Sequence, residues 1–326
     1  MGGVPVSRAA APGILALVVT SILWGTTGTA ASFAQGVSPL AIGAASLGIG
    51  GLLQGMIALP QLRRQRSELR RRGGLLAAGA LAVFVYPLAF YSSMHLGGVA
   101  LGTVISLGSA PVLSGVLERI FDGHPLRARW WLAVAVGVAG SVLLCLARSA
   151  GDQAGQQQVV ASVLLGLLAG ASYALYSWVV GRLMGSGVER RAAVGSVFSA
   201  GGLLLMPVLL LTGAPLLASA VNTWVGLYLS LVPMFLGYVL FGVGLSRVNA
   251  STATTITLLE PAVAAVLAVL IVGEHLGVVG WLGVALIGLA LGVLVYSPRR
   301  ITAQGRPRGP ARSSGGQHCP TSRTMQ

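Results

Sequence analysis

The chain has 326 residues, of which 55% are hydrophobic and only 9% charged, with a mean hydropathy of +0.83. A soluble domain carries about 25% charged residues, so this composition excludes one and fits a chain that crosses a membrane many times. The formal charge of +14 rests on 21 arginines and no lysine; they sit between apolar runs and not along one amphipathic face, which argues against nucleic acid as a partner.

About 20 apolar residues in a helix cross the hydrocarbon core. Ten such spans are predicted, at 13–33, 39–60, 74–94, 97–118, 130–148, 159–181, 192–212, 223–245, 249–272 and 279–297. The fold class is therefore an all-α polytopic membrane protein. For the first span a second reading stays open. Arg8, the apolar run and Thr29-Ala30-Ala31 also suit a cleaved signal peptide, which would leave nine spans. Polar breaks at 61–73, 149–158 and 183–191 read as loops, and the tail from Pro298 is rich in Gly, Pro, Ser and Arg.

The arginines orient the spans. With both termini in the cytoplasm, the inner segments hold Arg8, the six from Arg63 to Arg72, and Arg119, Arg127 and Arg129. They also hold Arg182, Arg190, Arg191, Arg247 and the six tail arginines from Arg299 to Arg323. Only Arg148 is left outside. Such a split satisfies the positive-inside rule. Trp130, Trp131, Trp224, Trp281 and Tyr296 fall near span ends, where interfacial anchors belong.

The chain also repeats itself. Ala100, Pro111, Val116, Gly123, Leu126 and Trp131 recur without a gap as Ala250, Pro261, Val266, Gly273, Leu276 and Trp281, and upstream Ser46 and Gly51 recur as Ser196 and Gly201. Arg119, Arg127 and Arg129 become Val269, Gly277 and Val279. Five spans per half is an odd number, so tandem halves enter the membrane in opposite senses, as in secondary transporters. The expected organisation is a cytoplasmic N-terminus over 1–12, inverted five-helix repeats over 13–150 and 151–297, and a disordered basic cytoplasmic tail over 298–326.

Ordered motifs carry a family resemblance. They are Leu23-Trp24-Gly25, Ser38-Pro39 and Ala100 to Pro111 in the first half. In the second half they are Ala250-Ser251, Leu259-Glu260-Pro261, Gly273-Glu274-His275-Leu276, Gly280-Trp281-Leu282-Gly283 and Leu286-Ile287-Gly288. With the ten spans and the repeat, the chain resembles the EamA-type family of the drug/metabolite transporter superfamily over about 13–297. The resemblance implies a ten-helix carrier that works by alternating access and exports amino acids or other small metabolites. It also implies that the third, fourth, eighth and ninth helices surround a central cavity, which makes Tyr91 and Tyr238 candidate substrate contacts. Two departures stand out: Ser46 lies where many relatives carry an arginine, and the counterparts of Glu260 and Glu274 are Ala110 and His124.

Charge inside the bilayer costs roughly 2.5–3.5 kcal/mol on insertion scales, so the few polar residues there are informative. Glu260 lies about 12 residues into the ninth span, or roughly 18 Å at the helical rise, near the midplane. Glu118 and Glu274 sit near span ends, where water is expected close by. Glu260 could exchange a proton as coupling ion, or pair with a substrate ammonium. Equally, it could be a neutral structural group bonded to its neighbours, because Pro261 frees the carbonyl of residue 257. Pro111 and Pro261 occupy equivalent places in equivalent helices, which suits paired hinges or helix breaks beside a binding site. Thr254 and Thr257, three apart, share a helix face with Glu260 next along it, a polar wall unless each threonine back-bonds to the preceding turn. Trp24, with Tyr86, Tyr91, Tyr173, Tyr176 and Tyr238, is a mid-span aromatic whose polar tip needs a partner. Gly102, Gly288 and Gly292 are spaced for close helix approach.

No Walker loop and no deep cluster of metal-ligating or catalytic side chains is present in the sequence, so neither a cofactor, a metal nor an enzymatic role is expected. The expectation is a secondary transporter of small molecules in a bacterial plasma membrane, an amino-acid or drug-like exporter. Protons are a candidate coupling ion, and the tail arginines can bind anionic lipid. The alternatives are a nucleotide-sugar or lipid-linked carrier, or a non-transporting accessory protein. An anionic substrate would call for a basic residue in mid-span, and there is none. The oligomeric state is left open.

Overall fold

A computed structural model of the chain describes residues 11–123, 125–126, 128–148, 156–272 and 277–295. The expectations for the basic tail, the extreme N-terminus, Glu274 and Tyr296 fall outside them. In the first half the helices are α1 (Ala11–Gly25), α2 (Thr27–Ala31), α3 (Pro39–Arg64), α4 (Arg66–Arg71), α5 (Gly73–Phe121) and α6 (Ala128–Arg148). In the second half they are α7 (Gln156–Gly185), α8 (Arg190–Thr212), α9 (Ala220–Leu229), α10 (Gly237–Leu245), α11 (Ala250–Ile256), α12 (Leu259–Leu267) and α13 (Val278–Val295). Among the described residues there are no strands, and eight helical stretches are long and apolar enough to cross a membrane.

Local chemistry sets several boundaries. α3 starts where Ser38 Oγ accepts from Ala41 N at 3.2 Å, with Pro39 at the first helical position. α5 is helical throughout, yet it folds back between the third and fourth spans. A Cβ on Gly102 would stand 2.6 Å from Met94 N, and Thr103 Oγ1 donates to Met94 Sδ at 3.4 Å. In a straight helix, residues eight apart lie about 12 Å from each other. Gly288 and Gly292 do not do the same job, because a Cβ there would meet nothing within 4 Å.

The repeat is visible in how the helices pair. α3 packs on its counterpart α8, and α6 on its counterpart α13. Along α3, Gly48 meets Gly202 and Leu205, Gly51 meets Phe198 and Gly202, and Gly55 meets Gly195 and Ser199. Numbers fall on α8 as they rise on α3, so the two are antiparallel. The crossing centres within a residue of the counterparts Gly51 and Gly201. Gly140 meets Gly283 and Ile287 while Gly137 meets Ala290, so α6 and α13 are antiparallel too. Counterpart helices that cross this way are related by a two-fold axis perpendicular to them, and the halves therefore run in opposite senses. The remaining pairs obey the same symmetry: α7 lies on α5, as α1 lies on α10 and α12.

The connections sort into two ends. Arg72 donates to Ser186 O at 3.3 Å, Glu189 N donates to Gln65 Oε1 at 2.9 Å, and Arg182 pairs with Asp122. These bonds gather the breaks after α3, α5 and α7 at one end, where the described arginines concentrate. At the other end Asn222 Nδ2 donates to Gln35 O at 3.1 Å.

Two expectations about span ends are corrected. Trp131, Trp224 and Trp281 are exposed, as anchors should be, but Trp130 is only 3% exposed. It packs on Gly115, and its Nε1 donates to Ser251 O at 3.4 Å, because α11 lies against α5 and shuts it in. Glu118, expected near water, is 4% exposed for the same reason.

Candidate functional site

Helix association in lipid lacks the hydrophobic driving force of water, so packing and hydrogen bonds decide it. Where the halves meet, both are dense. Trp24, Tyr86, Tyr173, Tyr176, Tyr238 and Phe241 form one aromatic cluster, with Trp24 and Tyr238 centroids 4.8 Å apart and Tyr86 and Tyr173 5.7 Å apart.

Irregular helix positions this cluster. Between α9 and α10 the chain makes a wide π-helical turn, Ser230–Leu236, that contains Pro233. Its carbonyls are taken up by side chains from the first half. Trp24 Nε1 donates to Pro233 O at 2.9 Å, and Gln54 Nε2 donates to Phe235 O at 2.6 Å. Ser230 Oγ returns the link, donating to Ala45 O at 3.0 Å. Such turns survive at membrane depth only when neighbours satisfy the freed groups, and they are frequent at functional sites.

A second irregularity separates α11 from α12. Pro261 has no N–H to give to Thr257 O, and Glu260 N supplies it at 3.0 Å. Leu258 N similarly reaches Thr255 O at 3.3 Å. The chain tightens over Thr257 and Leu258, so residues 254, 257 and 260 do not share one regular face. Thr254 Oγ1 back-bonds to Ala250 O and Ser251 O, at 2.9 and 3.2 Å. Thr257 Oγ1 meets Tyr173 Oη at 2.7 Å and donates to Thr254 O at 3.0 Å. At Pro111, by contrast, the helix continues through the proline without a break.

Glu260 points to a small cavity between the halves. Its walls include Trp24 and Thr27 from the first span, Ser46 from α3, Tyr86 and Tyr91 from α5, and Tyr238 from α10. The free interior is about 10 Å³, room for one water molecule. Glu260 Oε2, facing this buried space, has no hydrogen-bond partner among the described residues, and the Tyr91 hydroxyl beside it has Ser46 as its polar neighbour. Both residues are 5% exposed. No basic side chain is among the lining residues. Tyr238 Oη, by contrast, is already bonded to Tyr176 Oη at 2.7 Å.

Of the residues singled out from sequence, Glu260, Tyr91, Tyr238 and Trp24 are brought together here. Thr254 and Thr257 are not, since their hydroxyls are spent within α11 and on Tyr173. Ser46, Thr27 and Tyr86 add the other polar groups of the walls, and Leu47, Pro87, Phe90 and Met234 the apolar ones. Thr27 could have been found from its position one turn beyond Trp24, and Ser46 from its place in mid-span, with its counterpart Ser196 in the second half.

This buried, two-fold-related junction can be set beside known proteins. The EamA-like transporter family matches twice, over residues 11–146 and 160–296, one match for each half. The chain belongs to the EamA-like transporter family. It is similar to the "Uncharacterized transporter YwfM" of Bacillus subtilis (strain 168), 34% identical over 287 residues, which covers 88% of this chain and 94% of that protein. A solved crystal structure shares the fold with a TM-score of 0.70 at 20% identity, covering 88% of this chain and 96% of that one. The EamA-like chain is thus a multi-pass membrane transporter with two repeats. Family and relative both point to transport and away from enzymatic chemistry.

Proposed function

We propose that this EamA-like protein is a secondary exporter of small amine-bearing metabolites, amino acids or drug-like molecules, that works by alternating access. The observation that carries this reading is the buried Glu260 Oε2, unpartnered among the described residues in a cavity walled by aromatic rings and by the Tyr91 hydroxyl. A substrate ammonium donates to Glu260, and aromatic faces favour the same positive charge. When the substrate leaves, a proton takes its place on the carboxylate, and the outward step of one is tied to the inward step of the other. The cavity is too small for such a substrate in the closed form, so the halves must part on one side to admit it. The breaks at Thr257–Leu258 and Ser230–Leu236 are the points at which helices can bend.

Ten spans complete this reading. The shorter apolar helices Ala128–Leu143 and Val278–Ala290 join the eight longer ones. The arginine-bearing end, with Arg63 to Arg72, Arg119, Arg182, Arg190, Arg191 and Arg247, faces the cytoplasm of a bacterial cell, with both termini there. A nucleotide-sugar or lipid-linked anion is disfavoured by the lack of any basic side chain on the cavity wall.

The test is counterflow in proteoliposomes with labelled amino acids at two pH gradients, for the native protein and Glu260→Gln. Saturable exchange that responds to the proton gradient only in the native protein supports a proton-coupled antiporter. Unchanged exchange in Glu260→Gln makes Glu260 structural and the protein a facilitator. No exchange of any amino acid redirects the search to drugs, or to an accessory role.

A further inference from the structure

At the arginine-bearing end, one carboxylate ties the two halves together. Glu118, near the end of α5, belongs to the first half, and Ser251, in the first turn of α11, to the second. Glu118 Oε1 accepts from Ser251 N at 2.9 Å, and Oε2 accepts from Ser251 Oγ at 2.7 Å. Trp130 Nε1 of α6 donates to Ser251 O at 3.4 Å. All three polar groups of Ser251 thus meet the first half, and Glu118 and Ser251 are 4% and 1% exposed.

Position gives this link its meaning. Ser251 lies nine residues before Glu260, roughly 13 Å along a helix toward the arginine-bearing end. It therefore stands between the cavity and that end. Between the two lies the break at Thr257–Leu258. α11 is a short helix with a helix break at one end and a double hydrogen bond at the other.

The two-fold axis then supplies a comparison. It carries Glu118 onto Ala268 and Ser251 onto Leu101. Alanine and leucine carry no side-chain group able to make this bond, so the repeat does not duplicate it in sequence.

We propose that Glu118 and Ser251 form the gate that closes the cavity on the arginine-bearing face. This rests on the alternating-access reading above. With the bond made, α11 is held against α5 and the cavity is shut on that face. With the bond broken, water replaces both partners and α11 swings about Thr257–Leu258. Glu118 is a gating residue here and does not touch substrate.

Thiol accessibility tests the gate without knowledge of the substrate. Ser46→Cys places a probe in the cavity, in protein whose Cys145 and Cys319 are changed to alanine. A membrane-impermeant charged maleimide is applied from either face, using right-side-out and inside-out vesicles. Adding Glu118→Gln is expected to raise labelling from the cytoplasmic face about tenfold, the factor given by one lost hydrogen bond to a charged group, and to lower it from the outside. Ser251→Ala keeps the backbone N–H bond, so its shift has the same sign and is smaller; it carries the test if Glu118→Gln does not elute as folded protein. Unchanged rates in both variants overturn the gate. So does a rise from both faces, which marks general loosening. Failure of the transport reading shows separately, as absent counterflow in the native protein whatever the labelling.

Discussion

Pro111 and Pro261 hold the same place in the two halves, and each withholds the same backbone donor. Through Pro111 the helix runs on to Phe121, whereas before Pro261 it stops at Ile256 and restarts at Leu259. The proline is common to both copies, so the difference lies in the residues ahead of it. The first copy has Leu107 and Ala110; the second has Thr257 and Glu260. Thr257 is drawn to Tyr173, and its carbonyl is taken by Glu260 N. A duplicated helix has thus become an unbroken strut in one half and a jointed arm in the other. The joint delivers the carboxyl group to the cavity.

The sharpest way to break this comparison is to move the carboxyl group across the axis. Glu260→Ala should abolish counterflow, a loss of about 100-fold for a charged partner of the substrate. Adding Ala110→Glu should not restore it, because the unbroken copy does not present residue 110 to the cavity. Recovery in the double variant would mean that the halves are interchangeable. Next in size, Pro261→Ala returns a donor to Thr257 O and should straighten the arm. Exchange should slow about tenfold while the midpoint of thermal unfolding rises, since an alanine N–H lets the i to i−4 ladder run on across the break. Pro111→Ala should change exchange by less than about twofold, and an equal effect at both prolines would erase the distinction.

A smaller effect is expected at the brace that holds the joint. Tyr173→Phe removes the bond to Thr257, whose hydroxyl keeps Thr254 O, so unfolding in detergent should register a loss near 0.6 kcal/mol. Smallest of all is Thr254→Val. Its hydroxyl bonds only within its own helix, and both counterflow and stability should stay within about 0.5 kcal/mol of native. A clear fall in exchange would put Thr254 on the substrate path after all.

These cases also show what was legible in the residues. Glu260, Tyr91, Tyr238 and Trp24 were identifiable because polar or aromatic tips deep in apolar spans need a reason to be there. The wall of Thr254, Thr257 and Glu260, one of the two readings open for these threonines, needs an unbroken 3.6-residue period. The break at Thr257–Leu258 ended that period, and the partner of Thr257 is 84 residues away. Counting along the chain puts Glu118 and Trp130 at watery span ends. What buries them is α11, over 120 residues further on, and span counting carries no information about which helix lies against which. The repeat foretold more than any single motif, because it fixed which helices are counterparts and so made their pairing readable in the structure.

The antiparallel pairing of counterparts also bears on how the protein is made. When the first half has left the ribosome, α3, α6 and α1 all lack the surfaces they rest on, since α8, α13 and α10 are still to come. At about 5–20 residues per second, the missing 150 or so residues take roughly 8–30 seconds to arrive. For that interval the glycine face of α3 is exposed to lipid or to the insertion machinery. The mate of α6 is the last of the described helices, so this pair cannot form until α13 has been made.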